Sequence, residues 1–371
     1  MERTFRYTFE PAALDPVKAP LVKLDVGDIE DAALREVLQT PGPALGTWNL
    51  LDALLTRTGA NTPFVFQEPL GQAREVKVAL SGLLGRFVAR AYLERYFGLS
   101  AFAHLGKSNL VLDPRRRISV VRMARGDLPD WVACSATWTT PMIAEAKGCH
   151  DRGGPGKALA RAWLQTQRVA ITHNGAQLTV KRIAVATRWA SAKAGTGLPM
   201  MAVQDPIDSG KDLSPEDERA MVIGLLRRHL ATLLAPLGHS QLSSSLVNLT
   251  SSRRPEKTLI EEALKSLENT RLSHVAPIDR ELATDGLVGG TVTRLGVVAG
   301  HRLSRFDEKT LTRLDLRPRF IGVSRRIVRT AILGHDLAVE GQRSGLIQPP
   351  TVARGDEVKG WIIPLDSPDR F

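Results

Sequence analysis

The sequence has few cysteines and no long apolar run. Its 371 residues include only two cysteines, Cys134 and Cys149, which argues against a disulfide-stabilised scaffold and favours a reducing compartment, the cytoplasm. No stretch of about eighteen apolar residues is present, and no apolar signal region follows the first residues. We therefore expect no membrane partner. No CxxC or HxxxH spacing suggests a zinc site.

Acidic residues are also scarce relative to basic ones. Asp and Glu number 39 against 50 Lys and Arg, so the formal net charge is +11. This balance fits a polyanionic partner, with nucleic acid as the first candidate. The candidate contacts form a cluster in mid-chain and a cluster near the C-terminus: Arg115, Arg116, Arg117, Arg325 and Arg326. A solvated basic surface is the alternative for both clusters.

The composition is that of a globular protein, with 43% hydrophobic and 24% charged residues, and the length allows two or three modules. We expect an N-terminal extension over residues 1–75 and a core over residues 76–240. A smaller α+β domain over residues 241–371 would serve target recognition or partner binding. The serine-rich residues 241–252 are expected to form a linker or mobile loop.

The most informative segment contains Pro129-Asp130 and, fourteen residues later, Glu145-Ala146-Lys147. The midpoint between Asp130 and Glu145 falls at residues 136–139, so a hairpin that turns there would make the two acids neighbours. Glu145 and Lys147 are two residues apart and share one face of a strand. Two adjacent carboxylates repel each other unless a divalent cation lies between them, and oxygen ligands of this kind suit Mg²⁺.

This pattern resembles the PD-(D/E)xK nuclease superfamily at Pro129, Asp130, Glu145 and Lys147, with a trailing glycine at Gly148. The resemblance implies an α/β fold with a restriction-endonuclease-like mixed β-sheet flanked by helices. It also implies that Asp130, Glu145 and the carbonyl of Ala146 bind Mg²⁺, or Mn²⁺ in its place. Lys147 would then position the water that attacks a phosphodiester.

The flanking helices supply further candidates. Residues 81–97 have a helical apolar period ended by Gly98, and Glu94 on this helix is a candidate fourth metal ligand; a simple pair with Arg90, four residues earlier, is the alternative. A second helix is predicted from Lys157 to about His173, followed by a parallel strand over residues 180–189. On this helix, the candidate nucleic-acid contacts are Lys157, Gln165 and Gln167.

Together these features predict a metal-dependent nuclease, with DNA as the expected substrate in restriction, phage defence or repair. No residue distinguishes DNA from RNA. The alternative is a catalytically inactive protein on the same fold that binds nucleic acid or acts as a scaffold. A homodimer or a protein partner is also compatible with the sequence.

Overall fold

The computed structural model describes residues 2–40, 65–66, 74–106, 109–135, 141–150, 153–191, 199–206, 213–270, 286–293, 296–298, 319–334, 354–356 and 358–364. Within these ranges the helices are α1 (Val26–Gln39), α2 (Arg74–Tyr96), α3 (Gly156–Thr166), α4 (Pro215–Leu234), α5 (Ser240–Ser251), α6 (Glu256–Glu268) and α7 (Arg325–Leu333). None of these described helices is long and apolar enough to cross a bilayer.

The described strands are β1 (Glu2–Glu10), β2 (Leu21–Asp25), β3 (Val65–Phe66), β4 (Leu99–His104), β5 (Leu110–Asp113), β6 (Ile118–Arg122), β7 (Trp131–Ser135), β8 (Met142–Cys149), β9 (Val169–His173), β10 (Ala176–Gln177), β11 (Lys181–Arg188), β12 (Ala190–Ser191), β13 (Met200–Gln204), β14 (Leu287–Thr293), β15 (Gly296–Val298), β16 (Arg319–Ser324), β17 (Arg354–Asp356) and β18 (Gly360–Pro364).

A seven-stranded sheet, counted over the described residues, organises the molecule in the order β2-β1-β13-β11-β8-β7-β4. β8 runs parallel to β11, and β1 runs parallel to β13. The β7–β8 and β4–β7 pairs are antiparallel. The class is therefore α/β with a mixed sheet flanked by helices, as the sequence predicted. The parallel strand expected after α3 is β11, which is buried along residues 183–188 as suits an interior strand.

The other strands form smaller sheets. Among the described residues, one sheet has the order β10-β9-β6-β5, β12 pairs with β3, and a five-stranded C-terminal sheet has the order β15-β14-β16-β18-β17. Apolar residues of the C-terminal sheet and α7, such as Ile321 and Ile332, belong to the same hydrophobic cluster as Leu230 of α4 and Val185 of β11.

Two predictions about the N-terminal part of the chain need correction. Residues 2–25 are not an extension of the core, because β1 and β2 are strands of the central sheet. α2 begins at Arg74, so the boundary at residue 75 falls inside a helix. This arrangement is difficult to predict from the sequence, because β13, the parallel neighbour of β1, lies near residue 200.

Two further predictions were wrong in their secondary structure. The helix expected to reach His173 ends at Thr166, and the β-branched residues that follow form β9. The serine-rich segment expected to be a linker is mostly α5, with Leu242, Leu246 and Leu249 buried. These leucines recur at helical spacing, and this apolar face outweighs the serines around it.

Candidate active site

The β7–β8 hairpin places Asp130 opposite Glu145. Trp131 pairs with Ala144 in the hairpin register, so the next pair along the ladder is Asp130 and Glu145. The Asp130 amide donates to Glu145 Oε2 over 2.8 Å, and the Ala146 amide donates to Asp130 Oδ2 over 3.0 Å. Each carboxylate is thus held by the backbone of the opposite chain segment. The predicted tip of the hairpin, residues 136–139, lies outside the described residues.

Lys147 completes the predicted group. Its Nζ contacts Glu145 Oε1, and its side chain is 36% exposed while that of Glu145 is fully buried. Burial and the negative charge of Asp130 raise the pKa of Glu145 to about 9, although Lys147 and the Asp130 amide act in the opposite direction. The site therefore has an acid that is difficult to ionise without additional positive charge.

A second cation, Arg86 of α2, reaches the same site. Its Nε lies 3.3 Å from Asp130 Oδ1, and its Nη2 lies 2.6 Å from Glu36 Oε1. His104, at the end of β4, accepts a hydrogen bond at Nδ1 from Arg86 Nη2 over 3.2 Å, and its Nε2 lies 3.3 Å from Glu36 Oε2. No sequence pattern pointed to Arg86, Glu36 or His104. Their proximity arises from packing of α1 on α2 and β4, which no local pattern reveals.

Glu94 does not join the Asp130–Glu145 pair. Arg35 Nη2 lies 2.6 Å from Glu94 Oε2, and Arg90 Nε lies 3.1 Å from Glu94 Oε1. Glu94 is two helical turns beyond Arg86, a distance of about 12 Å along α2. The structure thus gives Glu94 the pairing with Arg90 that was the alternative, in a buried ion-pair network, and does not support its assignment as a metal ligand.

Asp130 and Glu145 are the two side chains of this group that could contribute to a divalent-cation site. Among the described residues, no group of three or more His, Cys, Asp and Glu side chains is arranged to hold a metal ion. Asp130 and Glu145 nevertheless supply two carboxylates, which is the usual protein contribution to a Mg²⁺ site. Burial and the neighbouring Asp130 raise the pKa of Glu145, so a bound cation would favour the ionised form of this carboxyl.

The glutamines predicted to touch nucleic acid have different surroundings. Gln165 is buried, and its side-chain amide donates to the carbonyl of Leu128, two residues before Asp130. It therefore supports the segment that leads into the site. Gln167 is exposed and its amide donates to Thr166 Oγ1 over 3.2 Å. Lys157 is exposed in the first turn of α3.

The mid-chain arginines lie at the turn between β5 and β6, where acids surround them. Arg116 Nη1 lies 2.8 Å from Asp217 Oδ1, and Arg115 Nη1 lies 3.7 Å from Glu256 Oε1. Arg115 and Arg116 line a cleft of about 1100 Å³ between α4 and α6. Arg117, beside them, is exposed. Because the first two arginines face carboxylates, this turn is a weaker anion site than the sequence alone indicates.

The C-terminal arginines lie in the first turn of α7. Arg325 Nη2 donates to the carbonyl of Leu267 over 2.8 Å, and its Nη1 donates to Thr270 Oγ1 over 3.1 Å. Arg325 therefore satisfies carbonyl groups at the C-terminal end of α6. Arg326 is half-buried. The structure thus uses Arg325 within the fold, and does not show it as a free cation.

Comparisons with models of protein families, with curated proteins and with solved structures give no match to this chain.

Proposed function

We propose that the protein is a metal-dependent nuclease with a restriction-endonuclease-like core. The observation that supports this most directly is the juxtaposition of Asp130 and Glu145 across the β7–β8 hairpin, with Lys147 beside Glu145. Two neighbouring carboxylates and an ammonium group at the end of a mixed sheet suit hydrolysis of a phosphodiester. DNA is the expected substrate, in restriction, phage defence or repair.

Each residue of the group would have a separate role. Asp130, Glu145 and the Ala146 carbonyl would hold Mg²⁺, or Mn²⁺, which when bound supplies Lewis-acid stabilisation of the phosphate and a more acidic water. Lys147, whose side chain is partly exposed, would orient the attacking water and stabilise negative charge that develops on the phosphate. The amides of Asp130 and Ala146 would keep both carboxylates in register during the reaction.

We assign the activity to the cytoplasm. Neither Cys134 nor Cys149 forms a disulfide within the described residues, and burial raises the pKa of the Cys134 thiol. A buried, protonated thiol of this kind is inert and needs no oxidising compartment.

Substitution of Lys147 tests the proposal. The purified protein should cleave plasmid and linear DNA when Mg²⁺ or Mn²⁺ is added, and Lys147→Ala should lower the rate by about 100-fold or more. Lys265→Ala, which removes an exposed lysine of α6, is the matched control and should cleave normally. Equal melting temperatures of the three proteins would show that they are folded. Undiminished cleavage by Lys147→Ala would overturn the proposed role.

A catalytically inactive protein that binds nucleic acid or acts as a scaffold is the second candidate, and Arg86 favours it. The Arg86 guanidinium gives Asp130 the positive charge that a cation would otherwise supply. This candidate predicts salt-sensitive binding to nucleic acid with no cleavage of single-stranded or duplex DNA or of RNA, with either metal.

A further inference from the structure

The exposed face of α3 carries cations and lacks acids. The helix sequence, GKALARAWLQT, contains no Asp or Glu. Lys157, Arg161 and Leu164 are exposed and recur at four- and three-residue spacing, so they form one stripe along the helix. In the described part of the chain, Lys157 and Arg161 make no side-chain hydrogen bond or ion pair. Their charges are therefore available to a partner.

Residues 122–127, which precede Asp130 in the chain, add further cations beside this stripe. The Met123 amide donates to the Arg168 carbonyl over 2.7 Å, and Arg168 Nη1 donates to the Asp127 carbonyl over 3.0 Å. Arg122 and Arg125 are exposed in the same segment. We call the combined area the α3 surface; its members are Arg122, Met123, Arg125, Lys157, Arg161, Leu164 and Arg168. It contains five cationic side chains, and Asp127 is the acid that lies beside it.

Two large apolar side chains lie among these cations. Leu164 is 60% exposed and Met123 is 58% exposed. Leu164 precedes Arg168 by four residues, and the Arg168 carbonyl accepts a hydrogen bond from the Met123 amide, so both apolar residues belong to this region of the surface. This surface therefore combines positive charge with exposed apolar side chains.

We propose that the α3 surface binds a single-stranded nucleic acid. Cationic side chains attract phosphates in any nucleic acid, and exposed apolar side chains can in addition pack on the faces of bases that are unstacked. A regular duplex keeps its base faces inside the stack, so it offers Leu164 and Met123 less apolar area than a single strand does. The chemistry of the surface therefore favours a single strand, or a single-stranded region next to a duplex.

The position of the surface connects it with the candidate active site. The Gln165 amide fixes the Leu128 carbonyl, and the chain reaches Asp130 two residues later. A nucleic-acid strand bound to the α3 surface would thus lie beside the segment that carries Asp130. As a statement about substrate, the inference rests on the proposed nuclease function; as a statement about binding, it can be tested without cleavage.

The first test measures binding in EDTA, so that cleavage plays no part. The probe is a fluorescent oligothymidylate of about 20 nucleotides, followed by anisotropy between about 50 and 200 mM NaCl. The double variant Lys157→Gln/Arg161→Gln should bind about tenfold more weakly and lower the salt slope by about 1.4, the value for two phosphate contacts on a single strand. The control, Lys257→Gln/Lys265→Gln on α6, removes the same charge elsewhere and should leave binding and slope unchanged.

The second test separates the apolar contribution from the charge. Leu164→Ala changes a side chain that is mostly exposed, so the fold should be retained. The variant should weaken binding of the oligothymidylate by about fivefold without changing the salt slope. Binding of a duplex of equal length should not change. The proposal fails if both double variants weaken binding equally, if Leu164→Ala affects neither ligand or both equally, or if the protein binds anionic lipid vesicles instead of the oligonucleotide. Binding that follows the proposal in a protein that never cleaves would refute only the nuclease assignment.

Discussion

Glu145 is buried next to another acid, and this gives its protonation a direct effect on stability. Its pKa is raised from 4.5 to about 9, first by burial and then by Asp130. In the unfolded chain the same carboxyl would ionise near its ordinary value. Between these two pH values the folded protein therefore holds a proton that the unfolded chain has released, and folding becomes less favourable as pH rises.

We expect Glu145→Gln to remove this pH dependence. In metal-free buffer, the free energy of unfolding of the wild type should include a component that falls by up to about 1.4 kcal/mol per pH unit through the neutral range. The variant should lack it and be more stable at pH near 8. Urea unfolding at several pH values measures the difference. Glu262→Gln, at an exposed acid that pairs with Arg254, is the control; an equal slope in wild type and Glu145→Gln would contradict the argument.

Among individual residues, the neighbouring acids Asp130 and Glu145 could be predicted from the sequence, whereas the ion-pair network around Arg86 and Glu36 could not. The spacing from Asp130 to Glu145 is symmetrical about a turn, so the register followed from counting residues. Arg86 and Glu36 are 50 residues apart in sequence and meet because α1 packs on α2. The pairing of Arg90 with Glu94 followed from their four-residue spacing, but its burial depends on tertiary packing.

At the scale of elements, α2 lies unusually close to β8, the strand that carries Glu145 and Lys147. A Cβ atom on Gly85 would lie 2.6 Å from the backbone nitrogen of Gly148. Both positions therefore require glycine, because the helix and strand backbones are in contact. This approach fixes the distance between α2, which carries Arg86, and the strand that carries the proposed catalytic lysine.

Two alanine substitutions in α2 should have opposite effects. Gly85→Ala should lower the free energy of unfolding by about 2 kcal/mol or more, because rigid backbone atoms must move apart. Gly82→Ala has open space around the new Cβ and should raise stability by about 0.5–1 kcal/mol through helix propensity. Thermal and urea unfolding measure both changes. A Gly85→Ala protein as stable as Gly82→Ala would show that the close contact is absent in solution.

Elements were predictable where a local pattern was strong. Ser214 directly precedes Pro215 and three acidic residues, which is the sequence of a helix N-cap, and it accepts a hydrogen bond from the Asp217 amide at the start of α4. The ends of α3 and the identity of α5 were missed, because β-branched residues after Thr166 and serines around Leu246 gave conflicting signals. The strand β1 alternates buried and exposed residues, but its place in the sheet depends on a distant partner.

For the whole molecule, the C-terminal sheet is not an appended unit in the described structure. Ile321 and Ile332 share a hydrophobic cluster with α4 and the central sheet. Arg227 of α4 donates from Nε to the Ala331 carbonyl over 2.7 Å and from Nη2 to the Ile332 carbonyl over 3.1 Å. Separation of residues 241–371 from the rest would expose this cluster and leave a buried arginine without its acceptors.

We therefore expect one cooperative unfolding transition. Urea unfolding followed by far-UV circular dichroism and by tryptophan fluorescence should give the same midpoint. A chain that ends at residue 240 should be much less stable than the full chain, and should aggregate through its exposed apolar surface. Two separated transitions, or a soluble and cooperative fragment of residues 1–240, would show that residues 1–240 fold without the C-terminal part.

The pairing of Arg6 with Met200 has a consequence for synthesis on the ribosome. β1 is made early, but its parallel neighbour β13 follows about 190 residues later, which at about 5–20 residues per second is a wait of roughly 10–40 s. Until then one edge of the β1–β2 ribbon stays open to other nascent chains. Chaperones that shield such edges should therefore increase the soluble yield of this protein.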